Sequence, residues 1–203
     1  MIDVVNIVLG ILSLGIGIVG AVFTYVAYSK ERTLKQISWS DIQNGIRYIW
    51  KEFRKLKFKP DIILSPDPKG GILAYLLENL YDDSIFINIG QAVKKGTYPS
   101  ALHVKENHTV ISTNRWEVFL SKEIETVAKK DSIKVLIVDD FVLSGDFNYQ
   151  LLEKLTEIGY KKENILVCCL VVTRVAISSA KAPDFYWKIV DDEDFYFPWG
   201  KAE

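Results

Sequence analysis

The chain has 203 residues, enough for one domain with a substantial core and too few for two independent catalytic domains. Its 25 Lys and Arg stand against 26 Asp and Glu, so it lacks the basic excess that neutralises phosphates along a nucleic acid, and no nucleic acid is expected as a partner. The two cysteines, Cys168 and Cys169, are neighbours in an apolar run; they exclude a disulfide framework or a Cys-rich metal site and read as reduced core residues. His103 and His108 have no zinc-like spacing to acidic residues, which leaves a metal held by carboxylates open.

Residues 4–28 run 25 positions without a charge. As a helix they would extend roughly 37 Å, enough to cross a ~30 Å hydrocarbon core. The start Met1-Ile2-Asp3 and the end Tyr25-Val26-Ala27-Tyr28 lack the basic lead and small-residue cleavage pattern of a signal peptide, so a retained transmembrane anchor over 1–30 is expected. Lys30, Arg32 and Lys35 follow at once, which predicts a single-pass protein of the cell inner membrane with its C-terminal domain in the cytoplasm and a juxtamembrane linker over 31–38. Gly10, Ser13, Gly17, Gly20 and Ala21 line one helical face with small side chains, so a homo-oligomer built on that face stays open.

The remainder, 39–203, reads as one α/β domain. Ser40 and Gln43 suggest a capping box, and Ile42, Ile46, Ile49, Phe53 and Leu56 recur at helical spacing, which predicts an amphipathic helix over about 41–57. Ile62-Ile63-Leu64 then forms a short apolar strand, followed by the loop Pro66-Asp67-Pro68-Lys69-Gly70-Gly71 and a helix carrying Ile72, Leu73, Leu76, Leu77 and Leu80. The same order recurs at Val135-Leu136-Ile137-Val138, the loop 139–145, and a helix ended by Gly159. Further strands are predicted over 84–89, 109–112 and 165–172. Strands alternating with helices imply a mostly parallel sheet flanked by helices, with ligands bound beyond the carboxyl ends of its strands.

Asp139-Asp140 at a strand end and Ser144-Gly145 at a helix start are the chemistry-bearing pattern. Such a turn offers backbone N–H groups to a phosphate, and paired carboxylates can grip sugar hydroxyls or Mg²⁺. The alternative, a solvated Asp pair in an ordinary turn, stays open on spacing alone.

The run Val138-Asp139-Asp140-Phe141-Val142-Leu143-Ser144-Gly145-Asp146-Phe147 resembles the phosphoribosyl pyrophosphate (PRPP) loop of type I phosphoribosyltransferases. Pro60-Asp61 through Lys69-Gly70-Gly71 is similar to that family's Pro-Asp strand and pyrophosphate loop. Ile37-Ser38-Trp39-Ser40-Asp41-Ile42, Ala182-Pro183-Asp184-Phe185-Tyr186 and Phe195-Tyr196-Phe197-Pro198-Trp199 look like segments of its xanthine/hypoxanthine-specific bacterial and archaeal members. The resemblance covers about 36–200. It implies Asp139 and Asp140 on the ribose hydroxyls and Mg²⁺, and Ser144, Gly145, Asp146 and Phe147 at the 5′-phosphate. It also implies Lys69, Gly70 and Gly71 at pyrophosphate, and Arg174, Phe195, Phe197 and Trp199 around a purine-like base.

The departures are specific. Leu143 stands where purine members place an acid, Phe147 replaces a Thr of the phosphate cradle, Asp146 adds a negative charge beside it, Asp194 stands near the position of a purine-stacking Trp, and Lys69 replaces an Arg fork. Three readings are therefore carried forward: a membrane-anchored phosphoribosyltransferase acting on a purine-like base, a degenerate PRPP- or nucleotide-binding sensor or effector at the membrane, and a scaffold.

Overall fold

The apolar runs at Ile62, Val135 and Ile165 become neighbouring strands of one parallel sheet. The computed structural model describes residues 15–22, 24, 35–81, 84–97 and 107–202. In chain order these form β1 (Lys35–Gln36), α1 (Trp39–Leu56), β2 (Ile62–Ser65), α2 (Pro68–Glu78), β3 (Phe86–Ile89), β4 (Gln91–Lys94), β5 (His108–Ser112) and β6 (Trp116–Ser121). Then come the single turn α3 (Glu123–Thr126), β7 (Val135–Val142), α4 (Asp146–Glu157), β8 (Ile165–Thr173), the short α5 (Arg174–Ser178), β9 (Phe185–Val190), β10 (Phe195–Phe197) and β11 (Gly200–Lys201).

The central sheet has the order β3-β2-β7-β8-β9, and every neighbouring pair is parallel. Ile62 pairs with Val135 and Leu64 with Ile137, so the loop after β2 lies beside Asp139 and Asp140 at the carboxyl edge. The strand predicted over 109–112 exists as β5, but it joins a separate antiparallel sheet of order β4-β6-β5. A third small sheet joins the two ends of the described domain: β1 runs parallel to β10, with Lys35 opposite Phe195, and β11 turns back on β10. Two residues of the expected 31–38 linker are therefore strand.

α1 covers one face of the central sheet. Its cap is Ser38, whose hydroxyl accepts from the Asp41 N–H at 3.2 Å while the Asp41 carboxylate accepts from the Ser38 N–H at 2.9 Å. The box therefore sits two residues before the expected Ser40–Gln43 pair, because the shorter Asp41 side chain closes the reciprocal bond. Ile42, Ile46, Ile49 and Phe53 are buried, each contributing roughly 1.5–3 kcal/mol by removal from water. A Cβ at Gly45 would lie 2.7 Å from Leu170, which is why this helix can rest so close to β8. On the opposite face Leu151, Leu155 and Tyr160 pack with Leu64, Leu120 and Ile137. Cys168 and Cys169 are free and buried in separate clusters, as expected for core residues, and burial pushes both thiols up in pKa.

The expected membrane-spanning run 4–28 lies largely outside the described residues. Residues 15–22 and 24 within it are helical, and no helix among the described residues is long and apolar enough to cross a membrane.

Candidate functional site

β7 is buried except at the half-buried Asp139, and it carries both carboxylates inside the strand, which runs on through Phe141 and Val142; the expected loop 139–145 therefore starts only at Leu143. Asp140 is 5% exposed. Asp67, from the loop after β2, completes a trio in which one carboxylate oxygen from each residue lies within 4.8 Å of the other two. Burial raises Asp139 well above the usual carboxylate range, and the charges of Asp140 and Asp67 push it further, against a hydrogen bond from Asn148. Asp140 is pushed up to about 6, first by burial; the Trp199 hydrogen bond and the Lys69 charge oppose that rise, and Asp67 adds to it.

The loop 66–71 is built by a helix cap. Asp67 Oδ1 accepts from the Gly70 N–H at 2.8 Å, and Pro68 opens α2 where its missing N–H costs nothing. The Ser65 hydroxyl donates to the Asp67 carbonyl at 2.8 Å. A Cβ at Gly70 would come within 2.9 Å of the Val138 carbonyl and 3.1 Å of Asp139 Cα, so only glycine lets this loop press against the end of β7. Gly71 is similarly close to Ile89, at 2.8 Å. Lys69 Nζ donates to the Lys201 carbonyl at 3.0 Å, beside the acidic trio.

The second loop turns at Gly145, with φ +74°, and a Cβ there would run into the Lys181 carbonyl. The Ser144 hydroxyl donates to Asp146 Oδ2 at 3.0 Å, and the Lys181 ammonium pairs with Asp146 Oδ1. These two contacts, Lys181 first, hold the Asp146 carboxyl below its ordinary pKa. The hydroxyl expected to meet a phosphate thus already bonds to the chain's own carboxylate at the N-terminus of α4. Phe147 does not cover this turn; it packs against the cluster that contains Leu151 and Ile137. Leu143 is 37% exposed, and its carbonyl accepts from the Thr173 hydroxyl.

The residues assigned to a base divide. Phe195 and Phe197 are buried, and Phe195 meets Phe141 edge-on at 5.0 Å, so both rings belong to the core. Trp199 stacks on Phe197 at 5.1 Å and 4°, meets Trp39 edge-on at 5.7 Å, and donates its indole N–H to Asp140 Oδ2 at 2.7 Å. Arg174 opens α5 and pairs through Nε with Asp191 at 2.6 Å; both side chains are more than two-thirds exposed. Asp194 is exposed and lies 3.5 Å from Lys201 Nζ.

Three participants were missed in the sequence. Asp67 was legible as a helix cap in Asp-Pro, but only the β2–β7 register makes it a third carboxylate. Asn148 donates to Asp139 Oδ2 at 3.5 Å from a buried turn of α4. Lys181 reaches Asp146 from 35 residues downstream, with no local signal.

No family model matches the sequence, and no curated protein does. Solved structures do. A purine phosphoribosyltransferase from Pyrococcus horikoshii Ot3 superposes with a TM-score of 0.57 at 20% identity, over 82% of this chain and 93% of that one. A Helicobacter pylori xanthine-guanine-hypoxanthine phosphoribosyltransferase gives 0.55 at 17% identity, over 81% and 92%. A Giardia lamblia APRTase complexed with 9-deazaadenine gives 0.54 at 14%, over 74% and 80%. At these identities the likeness is one of architecture, and it agrees with the parallel central sheet described above: this chain has the type I phosphoribosyltransferase fold.

Proposed function

We propose that this chain binds PRPP at the carboxyl edge of its parallel sheet and transfers the phosphoribosyl group to a purine-like base. The observation that supports this best is the close approach of Gly70 to Asp139 and of the Lys69 charge to Asp140, on the strand that leads into the Ser144–Gly145 turn. In this reading Asp139 and Asp140 hold the ribose hydroxyls, Ser144 and the first N–H groups of α4 hold the 5′-phosphate, and Lys69 receives pyrophosphate. The bond from ribose C1′ to pyrophosphate breaks and a bond to a base nitrogen forms, through a cation-like ribosyl centre favoured by the nearby carboxylates. Leu143 cannot accept the proton that the base loses, so that proton passes to solvent or to the leaving pyrophosphate. The carboxylate donors fit a divalent cation such as Mg²⁺, which Asp139 and Asp140 would hold; when bound it neutralises phosphate charge.

The second reading is a PRPP- or nucleotide-binding module without turnover. It is favoured by Asp146, which occupies the Ser144 hydroxyl, and by the hydrocarbon at Leu143. Titration calorimetry with PRPP and purine mononucleotides, with and without Mg²⁺, followed by a pyrophosphate-release assay, separates the two. Binding with release supports transfer, binding alone supports the module, and no binding sinks both.

The uncharged run 4–28 and the cations that follow it support a membrane tether with the domain on the cytoplasmic side, and small residues along that run support close contact between copies. Alkaline carbonate extraction of the full chain tests the tether: release into the soluble fraction would overturn it.

A further inference from the structure

We propose that the outward face of α1 lies on an anionic lipid surface, held there by Arg47, Lys51, Arg54 and Lys55. This rests on the reading of residues 4–28 as a membrane tether, which sets where the bilayer stands.

Charge is spread unevenly along the chain. Residues 30–59 carry nine Lys and Arg against three Asp and Glu, although the whole chain is net −1. The periodicity of α1 decides where these charges point. Ile42, Ile46, Ile49 and Phe53 take the buried side, which leaves Gln43, Arg47, Lys51, Arg54 and Lys55 exposed together along a stripe on the other. Both acids of the helix are engaged within it: Asp41 closes the cap on Ser38, and Glu52 accepts from Lys55 Nζ at 2.6 Å. Among the described residues, no ion pair neutralises Arg47, Lys51 or Arg54. Like charges three and four residues apart destabilise a helix, and a plane of anions relieves that repulsion along its whole length.

The aromatic side chains agree with a bilayer. Trp39 and Tyr48 are exposed on the same side of α1, and both are residue types that favour the headgroup region. Lys188, 5.7 Å from the Trp187 ring, extends the cationic side onto β9. Asp191 and Asp194, the acids that follow β9, pair with Arg174 and Lys201.

Reach supplies the remaining step. The uncharged run ends at Tyr28 and β1 begins at Lys35, so the chain between them extends no further than about 25 Å. A domain of this size is roughly 40 Å across, so the tether keeps one side of it against the bilayer. α1 follows β1 directly and is about 27 Å long, and it presents cations to the leaflet that carries anionic lipid.

The test uses the full chain in lipid nanodiscs made of phosphatidylcholine alone or mixed with phosphatidylglycerol. Acetylation of Lys51 by a water-soluble ester, read by mass spectrometry, should be about fivefold slower in the mixed discs, the factor for one cation held at an anionic surface. High salt should abolish the difference. Lys122, between Leu120 and Ile124 on the opposite side of the central sheet, should react alike in both. Arg47→Glu combined with Arg54→Glu, both at exposed positions, should remove the protection of Lys51. Equal Lys51 reactivity in the two discs, or protection that survives the paired charge reversal, would overturn the proposal. Equal protection by polyuridylate over phosphatidylcholine discs would assign the face to nucleic acid and overturn it as well. Failure of the tether reads differently. A chain released by carbonate that still sediments with phosphatidylglycerol vesicles, and not with phosphatidylcholine ones, keeps this surface and loses the tether; a chain retained by carbonate with no lipid-dependent change at Lys51 does the reverse.

Discussion

Asp139 and Asp140 sit side by side on β7, Asp140 buried and Asp139 half-buried, where desolvation comes first and a like-charged carboxylate, Asp67, adds to it at both. A carboxyl whose pKa is higher in the folded than in the unfolded chain adds stability below its unfolded value, and that contribution is lost as pH rises through the folded one, about 6 for Asp140. With metal chelated, calorimetric Tm should therefore fall between about pH 4 and about pH 6.5. Asp140→Asn should flatten that fall and raise stability at the upper end by ~1–2 kcal/mol; a variant that keeps the whole slope would assign it to other groups. Asp146 has the opposite sign, since its pKa is lowered: its contribution is lost only under more acid conditions. Its carboxylate holds the Ser144 hydroxyl and the Lys181 ammonium. Asp146→Asn should remove a charge from the phosphate turn and strengthen binding of inorganic phosphate by roughly tenfold, read by calorimetry, because one repelling unit charge at contact is worth about that much near a surface. Weaker binding in that variant would mean that Asp146 helps to build the phosphate site and does not compete for it.

The central strands were legible because β2, β7 and β8 are apolar runs bounded by turn residues, and α1 was legible from the spacing of Ile42, Ile46, Ile49 and Phe53. The antiparallel sheet was less so: β4 is a half-exposed Gln-Ala-Val-Lys with no apolar period, and its identity comes from pairing with β6. The acid pair and both glycine turns could be read in order along the chain, whereas Asp67 and Lys181 join the site only through strand register and long-range contact. Gly145 shows how an element depends on one residue. It starts α4 in the left-handed region, with the Lys181 carbonyl against the face where a side chain would project. Gly145→Ala combines an unfavourable φ with a backbone clash, so urea unfolding should show a loss of about 2 kcal/mol or more. A loss within ~0.5 kcal/mol, the usual range of a surface change, would mean that the 144–146 turn relaxes freely and the phosphate cradle is not preformed.

At the scale of the whole molecule, the two ends of the described domain meet over the site. Trp199 donates to Asp140, stacks on Phe197 of β10, and β10 pairs in parallel with β1, where the Ile37 N–H donates to the Tyr196 carbonyl at 2.8 Å. Residues 35–37 are therefore two packing steps from the carboxylates. Spatial continuity alone does not establish coupling; a change of exchange rate at one end on binding at the other does. If PRPP with Mg²⁺ engages Asp140, the Trp199 hydrogen bond must be kept or broken, and the β1–β10 pair should respond in its opening equilibrium. Hydrogen exchange of the full chain should then change at Ile37 on ligand addition, while Trp199→Phe, which preserves the stack but lacks the donor, should show no such change. If Ile37 responds equally in both proteins, the signal travels by another route. If it responds in neither, ligand occupancy stays within the crevice, and the joined ends serve only to close the small sheet over the core formed by Phe141, Phe195 and Phe197.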